Sequence, residues 1–237
     1  MLPFFRKIRI SLLGSGRARK YLLYAIGEIL LVVIGILIAL QINNWDQERL
    51  SKDKELKVLR EIRADLRINR TIIQGAIDRL DKSNDRLVQL MDYFDGKTEL
   101  TDSVLYFNLE YVRRLGRFEY NDAAYESLKT LGFDLIENDS LRLAIINLYE
   151  NKYEAGRSYI NANDGESARS LNEEYEQCCP SVNGVIVPND PASFRKNRVF
   201  YNKLSLRFDW QMYFLVIMRD GLQNTDQLLL MLENELD

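Results

Sequence analysis

The sequence predicts an all-α protein: a single N-terminal transmembrane helix followed by a helical bundle with long antiparallel helices. Three observations carry this prediction. Tyr21–Trp45, YLLYAIGEILLVVIGILIALQINNW, is one apolar run with a single charged residue, Glu28. A seven-residue repeat of apolar side chains then recurs from Leu59 to Phe94. Beyond it the helical pattern breaks at only a few points, and three of the four prolines fall within Cys179–Pro191. On this reading residues 1–20 are a basic amphipathic arm, 21–45 a transmembrane helix and 46–237 an extramembrane helical-bundle domain.

The apolar run has the length a bilayer requires, roughly 20 residues as a helix. Tyr21 and Tyr24 mark one interface, and Gln41, Asn43, Asn44 and Trp45 the other. A buried helix of a soluble protein is rarely apolar on every face over this length. The run exceeds the apolar region of a signal peptide, and no small-x-small cleavage site follows it. It reads as an uncleaved signal anchor.

Glu28 is the most informative residue in the span. At about 100° per residue, Tyr24, Glu28, Gly35 and Ala39 share one helix face. Gly35 and Ala39 form a small-xxx-small pair, which lets two helix backbones approach. Acids inside a membrane face protein rather than lipid. This face is therefore the expected membrane helix–helix interface, with Glu28 protonated or paired. The alternative is a neutral Glu28 bonded locally near the inner leaflet, with no partner helix.

The arm mixes Phe4, Phe5, Ile8 and Ile10 with Arg6, Lys7 and Arg9 and contains no acid. It reads as an interfacial anchor on an anionic leaflet, Phe4, Phe5, Arg6, Lys7 and Arg9 at one end of the span and Trp45 at the other. The far flank is also basic (Arg49, Lys52, Lys54, Lys57, Arg60), but there the bases alternate with Asp46, Glu48, Asp53 and Glu55. The unopposed bases place the N-terminus on the cytoplasmic side.

Composition excludes several classes of function. The net charge of −3 argues against nucleic acid as a partner. With no histidine, Ser-His-Asp and Cys-His nucleophile systems and His-containing zinc sites are excluded. No phosphate-binding glycine loop or nucleophile elbow is present. Glu119, Asp122, Glu126, Asp134, Glu137 and Asp139 are close in sequence, but their spacing selects no acid–base pair, and a solvated face explains them. No catalytic, cofactor-binding or metal residue is assigned. The only cysteines, Cys178 and Cys179, are adjacent. They suit a strained vicinal disulfide, a cross-link between chains, or a pair of small residues at a helix end.

Along the domain, Leu59, Leu66, Ile73, Leu80, Leu87 and Phe94 hold one heptad position, and Ile62, Asn69, Ala76, Ser83 and Leu90 its companion. Ile72, Ile77, Val88 and Met91 widen the apolar face. A partly polar second seam suits packing inside a bundle better than a parallel dimeric coiled coil, which wants both seams apolar. Asp95-Gly96 ends this helix. Thr101-Asp102-Ser103 opens a second, with Val104, Leu105, Leu109 and Val112 inward, and Gly116 closes it. Asn121-Asp122 opens a third, ending at Gly132. Asn138, Asp139 and Ser140 cap a fourth that runs from Leu141 toward Glu176. Cys179–Pro191 is non-helical, with Val185-Ile186-Val187 extended, and is the best candidate for a binding loop. A last helix follows from Phe200.

Two blocks resemble a known family. The first is Phe4-Phe5-Arg6-Lys7-Ile8-Arg9, Tyr24-Ala25-Ile26-Gly27-Glu28-Ile29 and Gly35 through Trp45. The second is Ala124-Tyr125-Glu126-Ser127-Leu128-Lys129 with Gly132 through Ile136 and Asn138 through Arg142. In layout and in these blocks the chain is similar to an uncharacterised bacterial family of short single-pass membrane proteins, a domain of unknown function. The resemblance implies one anchor and an all-helical domain. With the orientation read from the bases, the expected location is the bacterial inner membrane, the domain periplasmic. It implies no reaction, ligand or catalytic residue. The expected function is a membrane-anchored helical interaction or scaffold module, not an enzyme. Its expected partners are the lipid bilayer and either a second copy or another membrane protein. The alternative is an extracytoplasmic ligand-binding or sensor-like bundle that signals through a partner, with Phe118, Tyr120, Tyr125 and Phe133 lining a pocket instead of plain core.

Overall fold

The computed structural model describes residues 16–113, 118–182 and 184–236. The chain divides into two units, Met1–Lys54 and Glu55–Asp237, which are taken separately. The longest element, α1 (Gly16–Phe94), contributes to both.

In the first unit the described side chains from Leu22 to Ser51 are exposed. Apolar residues occupy every face of the helix here.

In the second unit α1 becomes amphipathic. Leu59, Leu66, Ile73, Leu80, Leu87 and Phe94 are all buried, and so are the companions Ile62, Asn69, Ala76, Ser83 and Leu90. Both seams are covered by the chain's own helices, as the bundle reading expects. Ile77 is buried with them, but Val88 turns outward at 41% exposure. The helix ends as expected, with Gly96 in the left-handed region at φ 74°.

The other elements are α2 (Asp102–Arg113), α3 (Ala123–Leu131), a 3₁₀ turn (Phe133–Leu135) and α4 (Asp139–Ile146). A π-helical segment (Asn147–Tyr153) then leads into α5 (Glu154–Cys178). A two-stranded hairpin, β1 (Ser181–Val182) and β2 (Val185–Ile186), pairs Ser181 with Ile186 and turns at Gly184, φ 81°. The short α6 (Pro191–Phe194) precedes the final α7 (Arg198–Leu236). In α2, Leu105, Leu109 and Val112 are buried, whereas Val104, expected inward, is exposed. Gly116, the expected end of that helix, lies outside the described residues. The Asn138 cap is present, its side chain accepting from the Leu141 amide at 3.1 Å.

Helices α1, α5 and α7 form an antiparallel bundle. Arg67 pairs with Glu233, Arg70 with Asp226 and Asp81 with Arg219, while Phe94 stacks on Phe200 near the other end. The order reverses along the two helices, which makes α1 and α7 antiparallel. Tyr159 against Phe214 and Glu174 against Asn197 show the same for α5 and α7.

The bundle has two apolar cores. The first joins α1 from Val58 to Leu80 with α3, α4, the π segment and the C-terminal half of α7. The second joins Leu87–Phe94 with α2, the end of α5, the hairpin, α6 and the start of α7. Between them, buried Ser83 and Asn84 on α1 and buried Arg207 and Gln211 on α7 make a polar layer. Gly156 brings α5 onto the first core: a Cβ there would sit 2.9 Å from the Phe118 ring.

Candidate functional site

Tyr24, Glu28, Gly35 and Ala39 all lie on α1 in the first unit and are exposed, Tyr24 by 83%. Their common face follows from the helix alone. A Cβ added at Gly27 or Gly35 would meet nothing within 4 Å. Around Glu28 a shallow open groove is lined by Leu23, Tyr24, Gly27, Leu31 and Val32. Trp45, at 73% exposure, stands at the other end of the apolar run. Of the expected anchor residues, Phe4, Phe5, Arg6, Lys7 and Arg9 lie outside the described residues. Among the described residues this is the one helix long and apolar enough to cross a membrane.

The second unit holds a tyrosine cluster where the second family-like block meets α1. Tyr125 stacks on Tyr149 at 4.4 Å with the rings 4° from parallel. Tyr120 packs against Tyr153 at 4.7 Å, and Arg157 lies over the Tyr120 ring at 4.3 Å. Phe118 touches Tyr120, Tyr153 and Phe214, and Phe133 touches Tyr125. These aromatics pack against one another in the first core.

The hydroxyls are unequal. Tyr153 shares a 2.8 Å hydrogen bond with Thr225, and Tyr125 donates to Glu150 at 2.7 Å. The Tyr149 hydroxyl is buried and finds no partner among the described residues. Burial pushes the Tyr120 hydroxyl up to about 12, and it also raises Tyr125, Tyr149 and Tyr153. The hydrogen bond from Tyr125 lowers the Glu150 carboxyl. None of these shifts prepares a tyrosine to act as a base at neutral pH.

Polar residues on α1 hold this block in place. Asp65 accepts from the Ala124 amide at 3.0 Å and from the Asn121 side chain at 2.7 Å. It therefore caps the start of α3 from a distant part of the chain. Asn69 clamps the Asn121 backbone, accepting from its amide at 2.6 Å and donating to its carbonyl at 2.8 Å. Buried Glu55 accepts from the Glu137 amide at 3.0 Å, just before α4. Sequence reasoning missed Glu55 and Asp65. For Glu55 a partial signal exists, since Glu55, Asn69 and Ser83 alternate with Ile62, Ala76 and Leu90 along one seam; Asp65 lies off it.

The acids between Glu119 and Asp139 do not converge. Asp122 pairs with Arg157, Glu126 with Lys129 and Asp139 with Arg142. Among the described residues no group of three His, Cys, Asp or Glu side chains is placed to hold a metal ion. Cys178 and Cys179 are free thiols at the end of α5.

The model of a family of unknown function, DUF6090, matches residues 28–173. The chain belongs to that family. The match begins at Glu28, runs through the seams of α1 and the tyrosine cluster, and ends within α5. No curated protein and no solved structure matches the chain.

Proposed function

We propose that the chain is a membrane-anchored helical interaction module. Tyr21–Trp45 is its single-pass signal anchor in a bacterial inner membrane, with the N-terminus cytoplasmic and the domain from residue 46 periplasmic. Phe4, Phe5, Arg6, Lys7 and Arg9 anchor one interface and Trp45 the other. The span meets a second transmembrane helix, of another copy or of another membrane protein, along Tyr24, Glu28, Gly35 and Ala39. The function is binding rather than catalysis.

One observation carries this reading: the described side chains from Leu22 to Trp45 are exposed on a helix that is apolar all round. An exposed apolar surface of this extent needs a cover other than water. Lipid supplies one for a helix, because its backbone groups are already bonded to one another. Lipid does not serve Glu28, whose carboxyl needs a polar neighbour. The open space at Gly35 permits another backbone to come close and bring that neighbour.

The test is purification of the full chain in mild detergent, with the mass of the complex measured for wild type, Glu28→Gln and Gly35→Leu. A defined oligomer or co-purifying membrane protein that is lost in both variants supports the proposal. Association unchanged by either substitution overturns the intramembrane contact.

A second reading, a ligand-binding bundle, is favoured by the polar layer between the two cores. There the Ser83 hydroxyl and the Asn84 and Gln211 side-chain carbonyls are buried without a partner among the described residues. A bound polar molecule is one way to satisfy them. Under this reading a metabolite raises the thermal midpoint of the full chain, and Gln211→Leu abolishes the rise.

A further inference from the structure

Cys178 and Cys179 have no part in the anchor, the two seams or the tyrosine cluster. Cys178 is the last residue of α5, and Cys179 caps the helix, its amide donating to the Tyr175 carbonyl. Their sulfurs are 3.4 Å apart, so both side chains leave the backbone toward the same side. Their environments differ. Cys178 is partly exposed and donates to the Glu174 carbonyl at 3.0 Å. Cys179 is 2% exposed and belongs to the second core with Tyr175 and Ile186. Beside Cys179 a recess of about 430 Å³ opens, lined also by Asn172, Glu176, Ser181 and Arg113, whose guanidinium pairs with Glu110 at 3.4 Å.

We propose that Cys178 and Cys179 are a thiol–disulfide exchange site for the disulfide of a small thiol, with the accessible Cys178 the attacking and the buried Cys179 the resolving residue. Cys178 loses its proton and bonds to one sulfur of the incoming disulfide, and the other sulfur leaves as a thiol carrying a proton. Cys179 then loses its proton and attacks the Cys178 sulfur. The Cys178–Cys179 bond forms, and the second small thiol departs with that proton. The two cysteines give up two electrons, and the incoming disulfide is reduced to two thiols.

The division of labour follows from the surroundings. The hydrogen bond with Cys179 lowers the Cys178 thiol from its ordinary value, against the opposing pull of burial and the Glu174 carboxylate. The same hydrogen bond, together with burial, pushes the Cys179 thiol up. An accessible, acidified thiol next to a resolving partner is the arrangement redox-responsive cysteines use.

Adjacent α-carbons are about 3.8 Å apart, closer than the roughly 4.4–6.8 Å of ordinary disulfides. The closed ring is strained and therefore easily reduced, so the site is reversible. The inference stands apart from the membrane reading, since the compartment only decides which form predominates.

The experiment uses the reduced full chain in mild detergent, exposed to glutathione disulfide, quenched with N-ethylmaleimide and weighed intact. Wild type is expected to lose the mass of two hydrogens and to take up neither maleimide nor glutathione, with dithiothreitol reversing the change. Cys179→Ser is expected to keep one glutathione on Cys178, and Cys178→Ser to react far more slowly. Wild type that takes up two maleimides after this treatment, or that yields only disulfides between chains, overturns the proposal. A Cys179→Ser chain that stays unmodified while wild type closes overturns the order of attack. The wild-type masses decide the matter even where a variant fails to fold.

Discussion

The two stretches of α1 solve opposite problems with the same secondary structure. From Leu22 to Trp45 apolar residues ring the helix and stay exposed. From Glu55 to Phe94 most of them gather on one stripe around two seams, and both seams are buried by the chain itself. The contrast teaches that hydrophobic content alone does not decide burial. A helix that is apolar on one stripe recruits partners from its own chain, and a helix apolar on every side must find a non-aqueous surrounding elsewhere. The few polar residues mean different things in the two stretches. Glu28 faces no described group, whereas Glu55, Asp65 and Asn69 each hold the backbone of a loop or helix start.

The sharpest way to break this comparison is to truncate one leucine in each stretch. Leu66 is fully buried. Leu66→Ala is expected to cost about 2–5 kcal/mol through lost burial and the cavity left behind, read as a lower thermal midpoint of the full chain in detergent. Leu31 is 74% exposed, and Leu31→Ala is expected to leave that midpoint unchanged. Equal losses at both sites contradict the division.

A smaller effect is expected at Asp65. Asp65→Ala removes the acceptor for the Ala124 amide and the Asn121 side chain, at a cost of about 1–2 kcal/mol. Hydrogen exchange should show α3 fraying first. Uniform loosening of the whole domain instead would mean that Asp65 does not act as a distant cap.

The tyrosine cluster sharpens the comparison from the alkaline side. An unfolded tyrosine titrates near 10, and folded Tyr120 near 12. Between these values the unfolded chain releases a proton that the folded chain keeps, so stability falls as pH rises through that window. The thermal midpoint is expected to drop from pH 9 to pH 11, and Tyr120→Phe should make the drop shallower. An identical slope in the variant removes Tyr120 from the explanation.

Much of this architecture is legible in the residues. The seam from Leu59 to Phe94 shows itself because a strict period needs no knowledge of what covers it. The Asn138 cap and the Gly96 and Gly132 endings rest on local chemistry. The outward turns of Val88 and Val104 leave no trace, because an isolated exposed valine costs little. The roles of Glu55 and Asp65 were also hidden. Helical spacing tells which face is buried, but not which loop backbone arrives there. The π segment at Asn147–Tyr153 carries no local signature either; it coincides with the stacking of Tyr149 on Tyr125, a contact set by tertiary packing. In the candidate site, the shared face of Tyr24, Glu28, Gly35 and Ala39 could be read directly, since it needs only the helix. The nearness of the Cys178 and Cys179 sulfurs could not, because it depends on how α5 ends.

The most direct measurement is alkaline carbonate extraction of membranes from cells producing the full chain, followed by mild detergent. If Tyr21–Trp45 spans the bilayer, the chain stays in the pellet through the carbonate wash, even as high pH loosens the tyrosine cluster, and detergent then releases it. Release by carbonate alone, or a pellet that detergent does not dissolve, would contradict a membrane-spanning α1.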